Sequence, residues 1–158
     1  MKLLQPETRN YLRKALRRVG SRFTRQRELI LTILMDQPDH PTAEEIHGRA
    51  KEELSGISLA TVYNGLEALV SCGLIKQVHF ERASTRFCPN LKEHAHFQCE
   101  RTGQVFDVPL DQEAFHYLKD ILPEGYSANS ISLSYVGKSP ANDTSRQDHK
   151  SVSIPTKP

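Results

Sequence analysis

The sequence is poor in the residues that build disulfide frameworks, large aromatic cores or membrane spans. Its 158 residues contain no Trp and only three cysteines, Cys72, Cys88 and Cys99. Such an odd, widely spaced set supports neither a disulfide framework nor a four-cysteine zinc site within one chain. The longest apolar run, near residues 29–35, is interrupted by Thr32 and is much shorter than the roughly 20 residues of a membrane span. We therefore expect a soluble, cytoplasmic protein with no membrane partner, in which any metal depends on histidine and carboxylate ligands.

The small net charge of +2 conceals an uneven distribution along the chain. Residues 1–36 hold nine Lys and Arg against three Asp and Glu, whereas residues 37–138 hold nine against fourteen. A basic N-terminal segment is suited to a polyanion, because phosphate contacts with Lys and Arg release condensed counterions. Charge alone leaves two partners open, namely DNA and anionic lipid headgroups.

The spacing of apolar residues predicts four helices in the first half of the chain. The first ends at Gly20, and the second follows Thr24. Thr42 and Glu45 have the spacing of a capping box at the start of the third helix. Ser58 is the expected N-cap of the fourth helix.

Two short segments, 74–81 and 84–89, follow the helices and are expected to form a β-hairpin. Helices followed at once by a two-stranded ribbon predict a winged helix-turn-helix, whose last helix enters the major groove of DNA. The alternative is a winged helix that is used only for protein contacts.

After Lys92 the periodicity changes from helical to strand-like. Strands on either side of Gly103, a helix capped by Asp111 and a strand at 131–136 predict a second, small α+β unit. Its helix is expected to bury five apolar residues, Ala114, Phe115, Leu118, Ile121 and Leu122. Because about 45 residues are near the limit for independent folding, we expect this unit to bury its apolar face by forming a homodimer.

The predicted fold class is therefore α+β, in which an N-terminal winged helix-turn-helix domain precedes a small α/β dimerisation domain. The predicted boundaries are 1–87 for the DNA-binding domain, 88–92 for a hinge, 93–138 for the dimerisation and metal-sensing domain and 139–158 for a disordered tail. The tail is rich in Ser, Pro, Asp and Lys and lacks periodicity, which is typical of disorder.

The sharpest local feature of the sequence is His94-Ala95-His96. In a strand, side chains at i and i+2 face the same way, so these two imidazoles can converge on one ion. Cys88 lies six residues before His94, Asp107 lies eleven residues after His96, and His40 precedes the third helix. A surface histidine pair that binds no metal is the alternative, and the spacing does not decide between the two.

Several motifs occur together, in a fixed order and spacing. They are Arg22-Phe23-Thr24-Arg25-Gln26-Arg27, His40-Pro41-Thr42-Ala43-Glu44-Glu45-Ile46, Ser58-Leu59-Ala60-Thr61-Val62-Tyr63-Asn64, Gly73-Leu74-Ile75 and the pair His94 and His96. This set resembles the ferric uptake regulator family of bacterial metal-responsive repressors. The resemblance extends over roughly residues 16–137, and the second and third motifs are its most specific part.

The resemblance implies a homodimeric, metal-dependent transcriptional repressor that binds an A·T-rich palindromic DNA and has no catalytic residues. It implies one regulatory divalent metal per subunit, with the ligands His40, Cys88, His94, His96 and Asp107. One ion bound by these residues would clamp the DNA-binding domain to the dimerisation domain. Because two recognition helices must lie about one helical turn apart, or a multiple of it, to read a palindrome, such a clamp would raise the affinity for DNA.

The expected DNA-contacting residues are Arg22, Ser58, Thr61, Tyr63, Asn64 and Lys76. By resemblance, Tyr63 touches thymine methyl groups in the major groove and Arg22 enters a minor groove. Narrow A·T-rich minor grooves attract Arg electrostatically, which agrees with this assignment. Lys76, at the base of the wing, is a general phosphate candidate. The alternative for Tyr63 is a core aromatic residue.

The chain departs from the family at the structural zinc site. Most members carry Cys-x-x-Cys pairs, whereas this chain has Cys99-Glu100-Arg101-Thr102 and no later cysteine. We therefore expect no structural four-cysteine zinc and place the chain in the minority branch that lacks it.

Cys88 bears on the identity of the regulatory metal. Iron and peroxide sensors of the family usually have Glu or Asp at this position, whereas zinc sensors have Cys. A thiolate among imidazoles and a carboxylate favours Zn(II) over Mn(II), so zinc homeostasis is the favoured interpretation. The alternative is a peroxide-stress or iron-responsive regulator with Fe or Mn at the same site. A zinc hydrolase is a remote alternative, because the sequence has no HExxH, nucleophile-elbow or P-loop motif.

Overall fold

The computed structural model of the chain describes residues 4–140. Within them, the contacts between Cα atoms define two compact units, the first ending at Leu91 and the second beginning at Lys92. The predicted tail at 139–158 lies outside the described residues except for Ser139 and Pro140. None of the helices in residues 4–140 has both the length and the hydropathy that a membrane crossing requires.

The first unit consists of four helices and a two-stranded sheet. Its elements are α1 (Pro6–Arg18), α2 (Arg25–Asp36), α3 (Ala43–Glu53), α4 (Leu59–Ser71), β1 (Lys76–Val78) and β2 (Arg86–Cys88). β1 and β2 pair antiparallel, with Lys76 opposite Cys88. This order confirms the predicted winged helix-turn-helix, with α4 as the last helix before the wing.

The N-termini of three helices in the first unit are capped by side chains, and the sequence predicts two of these caps, Thr42 and Ser58. Thr24 Oγ1 accepts from the backbone N of Arg27 at 3.2 Å, and Ser58 Oγ accepts from the backbone N of Thr61 at 3.1 Å. At α3, the backbone N of Thr42 donates to Glu45 Oε2 at 2.7 Å, and the backbone N of Glu45 donates to Thr42 Oγ1. The capping box predicted for α3 is therefore confirmed.

The core of the first unit surrounds α2 rather than touching one face of it. The apolar spacing of Leu29, Ile30, Ile33 and Leu34 predicts one buried face, but the structure buries every residue from Glu28 to Leu34. α4 crosses α2 at Gly65, where an added Cβ would overlap the Cδ1 atom of Ile30. A residue with a side chain at position 65 would therefore displace the side chain of Ile30 or the helix that carries it.

The second unit is a three-stranded sheet with one helix. Its elements are β3 (His94–Cys99), β4 (Val105–Pro109), α5 (Gln112–Asp120) and β5 (Ser134–Gly137). The strand order is β4-β3-β5, with β4 antiparallel and β5 parallel to β3. Gly103 makes the turn between β3 and β4 with a φ of 70°, a conformation that glycine adopts without strain.

The prediction that the helix of this unit buries five apolar residues is wrong for the single chain. α5 has no buried residue, and it ends at Asp120, before Ile121 and Leu122. These two side chains are 58% and 37% exposed. The apolar residues have the predicted helical spacing, but no surface within the described residues of this chain covers their side chains fully.

Candidate metal centre and nucleic-acid interface

Three of the predicted metal ligands lie together in the second unit. The register of the sheet pairs His96 on β3 with Asp107 on β4, and His94 lies two residues before His96. The Nε2 atoms of the two histidines are 3.0 Å apart. Oδ1 of Asp107 lies 3.3 Å from Nε2 of His94 and 3.7 Å from Nε2 of His96. Alternation along β3 and pairing with β4 therefore bring two nitrogens and one oxygen to one place.

The spacing of these atoms fits a divalent metal ion. Donor atoms at about 2.0–2.1 Å from a tetrahedral zinc are about 3.3 Å from one another, and the three distances here, 3.0, 3.3 and 3.7 Å, lie within 0.4 Å of this value. Nδ1 of His94 lies 2.7 Å from the carbonyl oxygen of Lys92. When Nδ1 carries the proton and donates to this carbonyl, the lone pair of His94 is on Nε2, the atom that faces the other two donors.

The other two predicted ligands, His40 and Cys88, belong to the first unit. Both are buried, with exposed fractions of 1% and 0%, and their potential ligand atoms lie within 4.8 Å of each other. His40 has a φ of 55°, a left-handed conformation that is uncommon outside glycine and is often found at functional sites. The first unit therefore brings a nitrogen donor and a sulfur donor together.

β2 holds the segment that carries His40. Nη1 of Arg86 donates to the carbonyl oxygen of His40 at 2.9 Å and lies 3.4 Å from Oε2 of Glu45. The backbone N of Phe87 donates to the carbonyl oxygen of Pro41 at 3.1 Å. The strand that ends in Cys88 therefore also fixes the backbone at His40. No sequence motif marks Arg86, because its partner is a backbone carbonyl 46 residues away.

The predicted DNA-contacting residues at and within α4 differ in their exposure and in the hydrogen bonds that their polar groups form. Tyr63 and Asn64 are exposed, Tyr63 by 48%, so Tyr63 is not a core residue. Ser58 is exposed and Thr61 is half-buried, and their hydroxyl oxygens lie 2.8 Å apart beside the helix cap. The outer face of α4 therefore presents one aromatic ring and one amide next to a capped N-terminus.

The hydroxyl of Tyr63 has a partner that the sequence did not reveal. It donates to Oε1 of Glu44, near the start of α3, at 2.7 Å. This hydrogen bond is the main reason why the pKa of Glu44 lies below its usual value and the pKa of Tyr63 above its own. The sequence gives no signal for the contact, since the capping pattern singles out Glu45 rather than Glu44.

A basic concave surface adjoins the outer face of α4. It consists of two cavities, of about 690 and 490 Å³, that share Gly20, Ser21 and Arg22. The first is also lined by Arg13, Lys14, Arg17 and Phe23, and the second by Thr24, Gln26, Arg27, Thr61, Asn64 and Gly65. Arg22, which the sequence predicts as a minor-groove residue, is exposed where the cavities meet.

Some basic residues of the N-terminal segment have partners within the fold. Arg9 forms an ion pair with the buried Glu28, with Nε and Oε1 2.8 Å apart. The guanidinium carbon of Arg13 lies 4.5 Å from the centre of the Phe23 ring, a distance typical of a cation–π contact. Lys76 is half-buried at the start of β1. The charge excess predicted to contact a polyanion is thus partly used within the fold.

Residues 18–136 match the model of the ferric uptake regulator family. The chain belongs to this family. The match covers both units, including all five predicted metal ligands and all six predicted DNA-contacting residues. The family resemblance and the α+β fold class are confirmed, whereas assignment to the branch without structural zinc stays a prediction.

Among relatives in the ferric uptake regulator family, the peroxide-responsive repressor PerR of Staphylococcus aureus (strain USA300) is 37% identical over 98 residues, or 62% of this chain and 66% of that protein. The match thus spans slightly less than two thirds of that relative. The peroxide stress regulator of Campylobacter jejuni is 27% identical, with a TM-score of 0.65 and coverage of 90% of this chain and 99% of that one. The ferric uptake regulator of Pseudomonas aeruginosa with manganese is 28% identical, with a TM-score of 0.64 and coverage of 85% and 98%.

Proposed function

We propose that this protein is a homodimeric, metal-dependent transcriptional repressor that binds DNA and has no catalytic activity. The observation that carries the proposal is the convergence of His94, His96 and Asp107, whose donor atoms lie within 3.7 Å of one another. The exposed face of α4 beside a basic concave surface supports DNA as the partner. Membership in the ferric uptake regulator family agrees with both points.

We assign one regulatory divalent metal to each subunit, with the ligands His40, Cys88, His94, His96 and Asp107. When bound, a divalent metal ion would supply a positive charge that the nitrogen, sulfur and oxygen donors coordinate. Two of the donors belong to the DNA-binding unit and three to the second unit, so ligation by all five reduces the freedom of one unit relative to the other. A coupling of about 1–3 kcal/mol, typical of allostery, would change DNA affinity by about 5- to 150-fold.

The apolar side chains exposed on the second unit support the homodimer. Tyr117, Ile121, Leu122, Tyr126, Tyr135 and Val136 are between 37% and 73% exposed. Exposed apolar side chains that cluster into one patch commonly mark protein–protein contacts, and these six side chains belong to one small unit. A symmetric dimer presents two copies of α4 to DNA, which matches a palindromic operator, and Arg22 favours A·T-rich minor grooves. We place this repressor in the cytoplasm.

Zinc is the metal favoured by the donor set. Cys88 contributes a sulfur donor, and thiolate ligands select Zn(II) over Mn(II), which prefers oxygen donors. Its burial beside His40 agrees with a ligand rather than a surface thiol. We therefore favour a role in zinc homeostasis.

A peroxide-responsive regulator with Fe or Mn at the same site is the second candidate. It is favoured by the comparisons, since the similar proteins from Staphylococcus aureus and Campylobacter jejuni are named for their response to peroxide. The two candidates differ in the metal that activates DNA binding, and this difference can be measured directly.

The test is a DNA-binding titration with an A·T-rich palindromic duplex selected in vitro by the metal-loaded protein. Apo protein is compared with protein loaded with Zn(II), with Mn(II) and, without oxygen, with Fe(II). The same series is repeated for Cys88→Asp, which exchanges the sulfur donor for oxygen. For a zinc sensor we expect Zn(II) alone to raise affinity, by about 5- to 150-fold, and Cys88→Asp to weaken the response to Zn(II) relative to Mn(II). Cys72→Ser, which removes a thiol from the end of α4, serves as the control and keeps the response.

The other outcomes separate the alternatives. Activation by Mn(II) or Fe(II) as strongly as by Zn(II) would favour the peroxide or iron interpretation. Binding of DNA with no effect of any metal would overturn the metal-dependent clamp. Failure to select any duplex, with or without metal, would favour a winged helix that contacts protein.

A further inference from the structure

Glu44 is an exposed acidic residue beside Tyr63, which lies on the face of α4 that is proposed to contact DNA. It is the second residue of α3, and its Oε1 atom accepts the hydroxyl of Tyr63 at 2.7 Å. A carboxylate close to DNA repels phosphates and weakens binding to every sequence equally. The presence of Glu44 next to the exposed ring of Tyr63 therefore calls for a role other than electrostatic attraction.

The carboxylate of Glu44 lies at the start of α3. The hydrogen bond from Tyr63 lowers the pKa of this carboxyl, and the backbone of Glu44 and the side chain of Thr42 lower it further. A negative charge in the first turn of a helix is stabilised by the helix dipole. The acceptor that Tyr63 meets is thus an ionised carboxylate in the first turn of a helix.

The ring of Tyr63 needs such a partner, because half of its surface is exposed. At 48% exposure, packing alone leaves the ring free to change rotamer. A hydrogen bond to an ionised acceptor is stronger and more directional than one between neutral groups. The contact across 19 residues of sequence therefore restricts the direction in which the ring projects from α4.

We propose that Glu44 is a positioning residue for base reading: it fixes the ring of Tyr63 so that its apolar edge meets thymine methyl groups, without itself touching DNA. The proposal rests on the proposed function and on the sequence-based prediction that Tyr63 contacts thymine methyl groups. It makes sequence selectivity, rather than overall affinity, the property that Glu44 controls.

The test measures the preference for thymine over uracil in the selected palindromic duplex. Uracil lacks only the C5-methyl group, so the ratio of the two dissociation constants reports methyl contacts. Burial of one methyl-sized group corresponds to about a fourfold ratio. For the wild type we expect a ratio of about four per contacted methyl, and for Glu44→Ala and Tyr63→Phe a ratio near one at the same positions. The double variant, which combines Glu44→Ala and Tyr63→Phe, should show the same thymine-to-uracil ratio as each single variant, because each single change removes the same hydrogen bond.

Two further variants separate positioning from charge. Glu44→Gln keeps an oxygen acceptor and should retain most of the thymine preference. Glu52→Ala removes an exposed carboxylate from the same helix and should leave the ratio unchanged. The proposal is overturned if Glu44→Ala binds all duplexes more tightly with an unchanged ratio, or if the effects of Glu44→Ala and Tyr63→Phe add.

A measurement without DNA distinguishes this inference from the proposed function. The hydrogen bond raises the pKa of Tyr63, so Glu44→Ala should lower that pKa, as followed by ultraviolet absorbance with Tyr63→Phe identifying the signal. An unchanged pKa would overturn the role of Glu44 and leave the repressor proposal standing. A wild type that binds the duplex but lacks thymine preference would overturn both the role of Tyr63 as a reader and the role of Glu44.

Discussion

At the scale of single residues, the cysteines occupy different environments. Burial raises the pKa of the Cys72 thiol. Cys99, at the end of β3, lies with its sulfur 3.2 Å from the hydroxyl oxygen of Ser139. Hydrogen bonds from Ser139 and from Thr102 stabilise the thiolate and lower the pKa of Cys99 to about 6. The hydroxyl groups around Cys99, which lies where most of the family has a structural zinc ligand, therefore favour its thiolate form.

This environment predicts a pH-dependent contribution of Cys99 to stability. An unfolded cysteine has a pKa of about 8.5, so between about pH 6 and 8.5 the unfolded state binds a proton that the folded state does not. Stability then rises with pH in this interval. We expect the melting temperature of the wild type to increase relative to that of Cys99→Ser from pH 6 to pH 8.5, measured by calorimetry with a chelator present. A difference that is constant with pH would contradict this assignment.

The sequence predicts residues whose chemistry is local and misses those whose role is a single distant contact. His94 and His96 follow from strand alternation, and the remaining ligands follow only from the family motifs. Glu44 and Arg86 act through a tyrosine hydroxyl and a backbone carbonyl, at separations of 19 and 46 residues. Such pairs depend on how α3, α4 and β2 pack, and no short pattern encodes that packing.

At the scale of elements, the contact between α2 and α4 depends on Gly65. An Ala at this position would gain up to about 1 kcal/mol in helix propensity but would overlap Cδ1 of the fully buried Ile30. Overpacking of a core costs about 1–3 kcal/mol, so we expect Gly65→Ala to lower the free energy of unfolding by up to about 2 kcal/mol. Denaturant unfolding measures this change.

Two variants make that prediction specific. Gly48→Ala lies within α3, where no atom is within 4 Å of an added Cβ, so it should be stabilising by up to about 1 kcal/mol. Ile30→Val removes Cδ1, so Gly65→Ala in that background should lose its penalty. If Gly65→Ala stabilises the protein as much as Gly48→Ala does, Ile30 accommodates the added methyl group and the contact does not depend on Gly65.

The elements themselves were more predictable than their surroundings. Caps at Thr24, Thr42 and Ser58 mark the helix starts because each hydroxyl satisfies a backbone N–H that the helix leaves without a partner. The burial of α2 on all sides and the exposure beside α5 were not predictable from periodicity. Periodicity identifies an apolar face, whereas burial depends on what covers that face.

At the scale of the whole molecule, the exposed apolar residues of the second unit lead to the last prediction. Ile121 is 58% exposed just after α5, and full burial of such a side chain contributes about 1.5–3 kcal/mol. In a symmetric dimer the residue occurs twice. If the second unit forms the dimer, Ile121→Lys should therefore raise the dissociation constant of the dimer at least about tenfold, as measured by analytical ultracentrifugation.

A matched control lies in the first unit. Val19, after α1, is 41% exposed, so Val19→Lys makes a similar change at a comparable exposure and should leave the dimer intact. Equal weakening by both variants would mean that added charge, and not the surface of the second unit, controls self-association. Because a palindrome is read by two copies of α4, Ile121→Lys should also weaken binding to the palindromic duplex while leaving binding to a single half-site unchanged. Retention of full affinity for the palindrome by a monomeric Ile121→Lys would rule out a dimer as the DNA-binding form.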